Sequence, residues 1–269
     1  MKKLLISTLL ITCMLSVISA QEVAVAATDS PKATADISKN FIKLNLTSLP
    51  FLNFSLQYER VLSKSISAAL SGSFMPETTM PAFIADQLIN FAGDMSDEGS
   101  VDAQTEDLIR NLLISSYTIT PEVRFYLGHN RYSTGFYTAV FYRYSHYEGS
   151  NAPIPFTTDL DEEITINTTG SITSHTGGFL LGYQWALGKR MCLDWQMFGP
   201  HFGVSSGDFL GLPSSPLSEA DQAKIEDKSN DVDIPMFTPT VDATADEVKM
   251  IFDGPWGGIR FALSIGVKF

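Results

Sequence analysis

Glu59, Glu122, Arg124, Arg143, Asp194 and Arg260 are the side chains of this 269-residue chain whose types and placement point first to chemistry. Each lies in a run where apolar and polar residues alternate, and each falls on the polar parity of its run. Successive side chains of a strand point to opposite faces, so strands rolled into one sheet would turn all six charges inward. A charge removed from water persists only when it is paired and hydrogen-bonded. Three carboxylates facing three guanidiniums therefore read as an ion-paired plug. The alternative for the same residues is a narrow channel lined by both signs.

A second group combines hydroxyls, imidazoles and carboxylates. Ser145, His146, Ser174 and His175 fall on two segments expected to pair, with Glu148, Asp159, Asp161, Glu162 and Glu163 nearby in sequence. A base that activates a nucleophile, itself oriented by an acid, is what acyl transfer or lipid deacylation requires. The spacing matches no catalytic motif, and four histidines among many serines produce such groupings by chance. His129 and His201 have less company. The acidic sets Asp94, Asp97, Glu98, Asp102 and Asp159, Asp161, Glu162, Glu163 are rich in oxygen donors but lack EF-hand spacing. They read as solvated loops. No catalytic residue, cofactor site or metal site is assigned from the sequence.

These residues need strands to position them. Residues 259–269 alternate without a break, with Ile259, Phe261, Leu263, Ile265, Val267 and Phe269 on one face and Arg260, Ser264 and Lys268 on the other. Five earlier segments alternate in the same way, 41–48, 53–61, 65–75, 117–127 and 136–147, and two more, 171–185 and 191–204, are Gly-rich and alternate less cleanly. Together they predict an all-β chain, an eight-stranded antiparallel up-and-down transmembrane β-barrel. An added hairpin within 163–176 would raise the count to ten. The connections 76–116, 148–170 and 205–256 are long and all fall at one end, whereas those at the other end are short. Pro121 and Pro200 lie inside strands, where bulges are expected to absorb the missing donor. Short helices are expected in the loops at 81–92 and 107–114. A capping box, Thr244-Ala245-Asp246-Glu247, predicts another running through Phe252.

The amino-terminal end reads as an export signal. Met1-Lys2-Lys3 precedes an apolar run from Leu4 to Ile18, and Ile18-Ser19-Ala20 ends in a small residue suited to cleavage. The run is shorter than the roughly 20 residues a helix needs to cross a bilayer. Residues 1–20 are thus expected to be removed with Cys13, leaving 21–40 as a periplasmic tether and 41–269 as the barrel. Cys192 would then be the sole cysteine, which excludes an intramolecular disulfide. The chain carries a net charge of −12, and the three long connections hold 24 of its 30 acids. That balance excludes nucleic acid as a partner and is compatible with divalent cations, basic partners or simple solvation.

Ile42-Lys43-Leu44-Asn45-Leu46-Thr47-Ser48-Leu49, Tyr58-Glu59-Arg60-Val61-Leu62, Phe74-Met75-Pro76, Thr120-Pro121-Glu122-Val123-Arg124-Phe125-Tyr126-Leu127-Gly128 and Phe141-Tyr142-Arg143-Tyr144 carry a resemblance. The chain resembles the small uncharacterised outer-membrane barrels of Bacteroidota-type bacteria, within the porin-like group that includes the outer-membrane protein A barrel. The resemblance implies a fold and an outer-membrane location in a Gram-negative bacterium. It supplies no activity and no catalytic residue. It also implies that the barrel assembly machinery reads Leu263, Ile265, Val267 and Phe269 as an insertion signal. The expected function is a monomeric, non-enzymatic anchor that displays acidic loops to lipopolysaccharide, a protein partner or a surface ligand. The rival is a lipid-modifying enzyme.

Overall fold

The computed structural model describes residues 39–95, 101–127, 133–230 and 238–269. The expected signal segment and all but the last two residues of the expected tether lie outside the described residues. The strands are β1 (Asn40–Asn45), β2 (Phe54–Val61), β3 (Ile66–Thr79), β4 (Leu113–Tyr126), β5 (Gly135–Thr157), β6 (Glu163–Leu187), β7 (Met191–Pro213), β8 (Thr238–Ala243) and β9 (Val248–Lys268). The helices are α1 (Ala82–Met95), α2 (Ala103–Asn111) and α3 (Glu219–Asn230).

All nine strands belong to one antiparallel sheet, and the sheet closes into a ring. Closure comes from β9, which pairs with β7 along one side and with β1 along the other, from Phe41 opposite Lys268 to Asn45 opposite Ser264. Asn40 and Phe269 extend that seam by exchanging backbone hydrogen bonds of 3.1 and 2.9 Å. β8 pairs with Val248–Asp253 of β9, beyond the part that meets β1, so it stands outside the eight-membered ring. A ring has no unpaired strand edge.

Strand lengths differ widely, from 6 residues in β1 to 25 in β6. The ring is complete at the end where both β1 begins and β9 finishes. Above it a wall of β5, β6, β7, β9 and β8 continues alone. All three helices and the longest excursions lie at this second end, as the alternation of loop lengths implies. The segment 148–170, expected as a loop, is instead largely strand, and 205–256 contains the end of β7, α3, β8 and the start of β9. The ladder between β5 and β6 runs on from Ala152 opposite Thr168 to Thr157 opposite Glu163. Residues 163–176 are therefore a continuous part of β6 and form no added hairpin. Pro153, Pro155 and the polar Thr and Asn residues mask this strand in the sequence, because pairing to a neighbour holds it rather than its own alternation.

The capping box at Thr244 is a hairpin turn. The Thr244 hydroxyl accepts from the Glu247 amide at 3.2 Å, as it would at a helix start, but the Thr244 amide donates to the Glu247 carbonyl at 2.8 Å and the chain continues into β9. Helices do form near the other two expected places, at α1 and α2. Asp102 caps α2 by accepting from the Thr105 amide at 2.6 Å, and this holds its carboxyl below the usual range. Asp221 of α3 accepts from the Ser218 hydroxyl at 2.7 Å and the Asp159 amide at 2.8 Å, tying the β5–β6 turn to the helix.

The two prolines are handled differently. At Pro121 the ladder to β5 skips Thr120 and Pro121 yet keeps its register, so the expected bulge is absent. Near Pro200 a register shift between Gln196 and Gly199 supplies one.

Polarity is inverted across the wall. Arg124, Glu59 and Asp194 are fully buried, whereas Phe202 is 67% exposed, Leu56 56% and Val140 55%. The outward set includes Ile42, Leu70, Ile119, Phe179 and Phe261. Inside the ring Gly182 has no substitute: a Cβ there would lie 2.4 Å from the Tyr137 hydroxyl and 2.8 Å from the Trp195 carbonyl oxygen.

Candidate functional site

Side chains from opposite walls meet in the ring interior. Lys43 on β1 reaches Asp194 on β7 and Gln184 on β6, each at 2.6 Å, and also pairs with Glu59 on β2. Arg124 on β4 reaches Asp194 at 2.6 Å and Glu59 at 3.2 Å, and its Nε donates to Glu122. Glu122 in turn accepts from Arg260 on β9 at 2.5 Å. Apart from Lys43–Glu59, between neighbouring strands, and Arg124–Glu122, within β4, these contacts join strands that are not neighbours in the sheet, so they cross the interior. Neutral groups complete the cluster. Tyr126 donates to Glu59 at 2.8 Å, Tyr137 donates to Asp194 at 2.8 Å, and Gln57 accepts from Arg124 at 2.8 Å. The guanidinium of Arg124 also lies 4.5 Å from the Tyr137 ring centroid.

Five of the six residues expected inside, Glu59, Glu122, Arg124, Asp194 and Arg260, join this cluster. Arg143 faces inward but stands apart, donating to Ser145 at 3.2 Å and to the Tyr147 hydroxyl, and among the described residues no carboxylate forms an ion pair with it. Lys43 was missed as a member, although its parity already turned it inward. Its inclusion changes the charge balance: Lys43, Arg124 and Arg260 neutralise Glu59, Glu122 and Asp194, and Arg143 is left over.

Beyond the cluster lies a cavity of about 390 Å³ that extends to the β1–β2 turn at Ser48 and Asn53. Its walls carry Arg143, Arg260, His201 and Lys43 and, among the described residues, no carboxylate.

These features coincide with a sequence match. The chain belongs to the DUF3575 family. That family is described as a protein of unknown function, and its model matches residues 8–203. The match spans β1 to β6 and the first half of β7, and thus most of the interior cluster; Arg260 and the seam with β9 lie beyond it. No curated protein matches the chain.

In this DUF3575 chain the hydroxyl–imidazole grouping is split by the wall. Ser145 and Ser174 are buried on the inner face, whereas His175 is exposed on the outer face and bonds the Tyr142 hydroxyl at 2.5 Å. His146 also lies outside. Its Nδ1 is 2.9 Å from the Thr173 hydroxyl, and its Nε2 is 3.4 Å from Glu148. Among the described residues no three His, Cys, Asp or Glu side chains converge as metal ligands. Asp97 and Glu98 fall outside the described residues. Cys192 is buried and free. Leu263, Ile265, Val267 and Phe269 share the outer face, with Val267 and Phe269 most exposed.

Proposed function

We propose that the protein is an integral outer-membrane β-barrel of a Gram-negative bacterium, a monomeric anchor that carries its wall, helices and acidic segments on the cell exterior. The likeness to small Bacteroidota-type barrels of the outer-membrane protein A group belongs to the same reading. The observation that carries it is the inverted polarity of a closed sheet. Water-soluble proteins bury apolar side chains, whereas a ring in lipid must present them outward and keep its polar groups inside. Exposed rings add support. Trp185 and Trp195 stack at 6.3 Å near the short-turn end, and Tyr144 lies 5.2 Å from His175 and 5.9 Å from Tyr117 further up. Along β5, eight residues separate Phe136 from Tyr144, or about 26 Å of strand at ~3.3 Å per residue. Aromatic residues gather at both interfaces of an apolar band in such barrels.

The interior cluster makes this a sealed barrel rather than a channel. Lys43, Arg124 and their partners span the interior from β1 and β4 to β7. The full chain is expected in the outer-membrane fraction, with gel mobility that changes on heating, and without steady conductance in planar bilayers. Recovery from the soluble periplasm would overturn the location, and discrete conductance steps would overturn the seal.

A second reading rests on one observation, the Thr173–His146–Glu148 chain on the outer face. There His146 would activate a hydroxyl for acyl removal from a neighbouring lipid. His146→Ala should then alter the acyl composition of lipid A by mass spectrometry; unchanged spectra beside cells lacking the gene eliminate it.

A further inference from the structure

The cavity beyond the charge cluster is built for an anion that also donates hydrogen bonds. Three independent observations define the ligand. The first is charge: Arg143 is bonded to the Ser145 and Tyr147 hydroxyls but, among the described residues, is paired with no carboxylate, and no described carboxylate lines the cavity. A planar guanidinium binds a carboxylate through two parallel hydrogen bonds. The second is unmet acceptors. Gln196, 2% exposed, has a side-chain oxygen with no partner among the described residues, and so does Asn53; both residues line the cavity. Buried polar atoms are nearly always hydrogen-bonded, so these two call for O–H or N–H donors. The third is an aromatic face. Trp256 lines the cavity and lies 5.9 Å, centroid to centroid, from Tyr147.

We propose that this cavity binds a polyhydroxylated carboxylate of monosaccharide size, a hexuronate, either free or at the end of a surface glycan. The carboxylate pairs with Arg143, ring hydroxyls donate to Gln196 and Asn53, and the less polar face of the sugar lies against Trp256. The volume of about 390 Å³ falls within the range of small-molecule sites. Gly258 leaves room on that side of the cavity: a Cβ there would come within 3.1 Å of the His201 imidazole. The inference uses only the ring interior and holds whether or not the ring sits in a bilayer.

Titration calorimetry on the folded full chain in detergent micelles tests it, with heat-modifiable gel mobility confirming that each variant is folded. Glucuronate and galacturonate are the probes, and glucose and acetate are the controls. At least one uronate should bind at least tenfold more tightly than either control. Arg143→Gln and Gln196→Leu should each weaken it tenfold or more, while Arg143→Lys retains part of the affinity. Trp256→Phe should abolish the change in tryptophan fluorescence on binding, a readout that does not depend on the Arg143 variants folding. A uronate-ended disaccharide separates the sources: binding equal to the free acid favours a glycan terminus, and weaker binding favours the free acid. Absence of uronate binding to the native chain, acetate binding as tightly as uronate, or unchanged affinity in Arg143→Gln would each overturn the proposal.

Discussion

Replacing Arg124 with Leu is expected to destabilise the folded ring by about 3 to 5 kcal/mol, the range for breaking a buried ion pair from one side. Arg124 bonds Glu59, Glu122, Asp194 and Gln57 at once, and its side chain is fully buried. Without it, three buried carboxylates share Lys43 and Arg260. One negative charge is then left uncompensated among carboxylates whose side chains have no exposure. The neighbour Val123 points outward and is 38% exposed, so Val123→Leu should change stability little. The check is the temperature at which each variant loses its compact, fast-migrating gel band. Equal temperatures for the two variants would mean that the inner and outer faces of β4 are reversed.

Removing Ser264–Phe269 should abolish assembly altogether. Every pair that joins β9 to β1 lies in that stretch, from Ser264 opposite Asn45 to Lys268 opposite Phe41. Its loss removes every ladder pair of the seam and leaves only the contacts of Leu263 with Leu46 and Thr47, and each backbone donor or acceptor left unpaired in an apolar medium costs several kcal/mol. The same cut removes Ile265, Val267 and Phe269, so the insertion signal expected from the sequence and the closing strand would disappear together. Deleting Phe269 alone should slow assembly, because Asn40 loses its two backbone partners while the remaining pairs persist. The control is deletion of 214–243. It removes α3 and β8, both outside the ring, and leaves Thr244–Glu247 as a turn between Pro213 and Val248. That variant should reach normal levels in the outer-membrane fraction. Equal levels for the variant lacking the last six residues would show that ring closure does not depend on this seam.

The inner and outer faces of the ring were legible because a period of two is a local property. Glu59, Glu122, Arg124, Asp194 and Arg260 could be assigned inward from their immediate neighbours alone. Which of them meet was not legible. Contact across the interior depends on height within the ring, and height depends on the stagger between strands, which is a property of pairs. Lys43 shows the consequence. Its parity was read correctly, yet nothing in Ile42-Lys43-Leu44 reveals that it stands level with Asp194, 151 residues away. Tyr126, Tyr137 and Gln184 were missed because they carry no charge, although each bonds a charged member of the cluster. The wall above the ring was missed for a different reason. Its strands have neither a purely apolar nor a purely polar face, so alternation fades while pairing continues. Thr244-Ala245-Asp246-Glu247 misled because a threonine hydroxyl accepting from the third amide onward serves a tight turn as well as a helix start.

β8 has a bearing on whether these molecules stay apart. A closed ring offers no strand to a neighbour, but the wall above it ends in β8, whose far side could take on a strand from another copy and begin stacking in solution. The composition of β8 opposes that. Pro239 has no amide hydrogen to offer, and Asp242 places a carboxylate in the strand opposite Lys249. The Ala243 amide is already donated to Glu226 of α3 at 3.3 Å. A strand added there would find no donor at Pro239 and would have to compete with Glu226 for the Ala243 amide. The β8 edge is therefore a poor seed for a fibre.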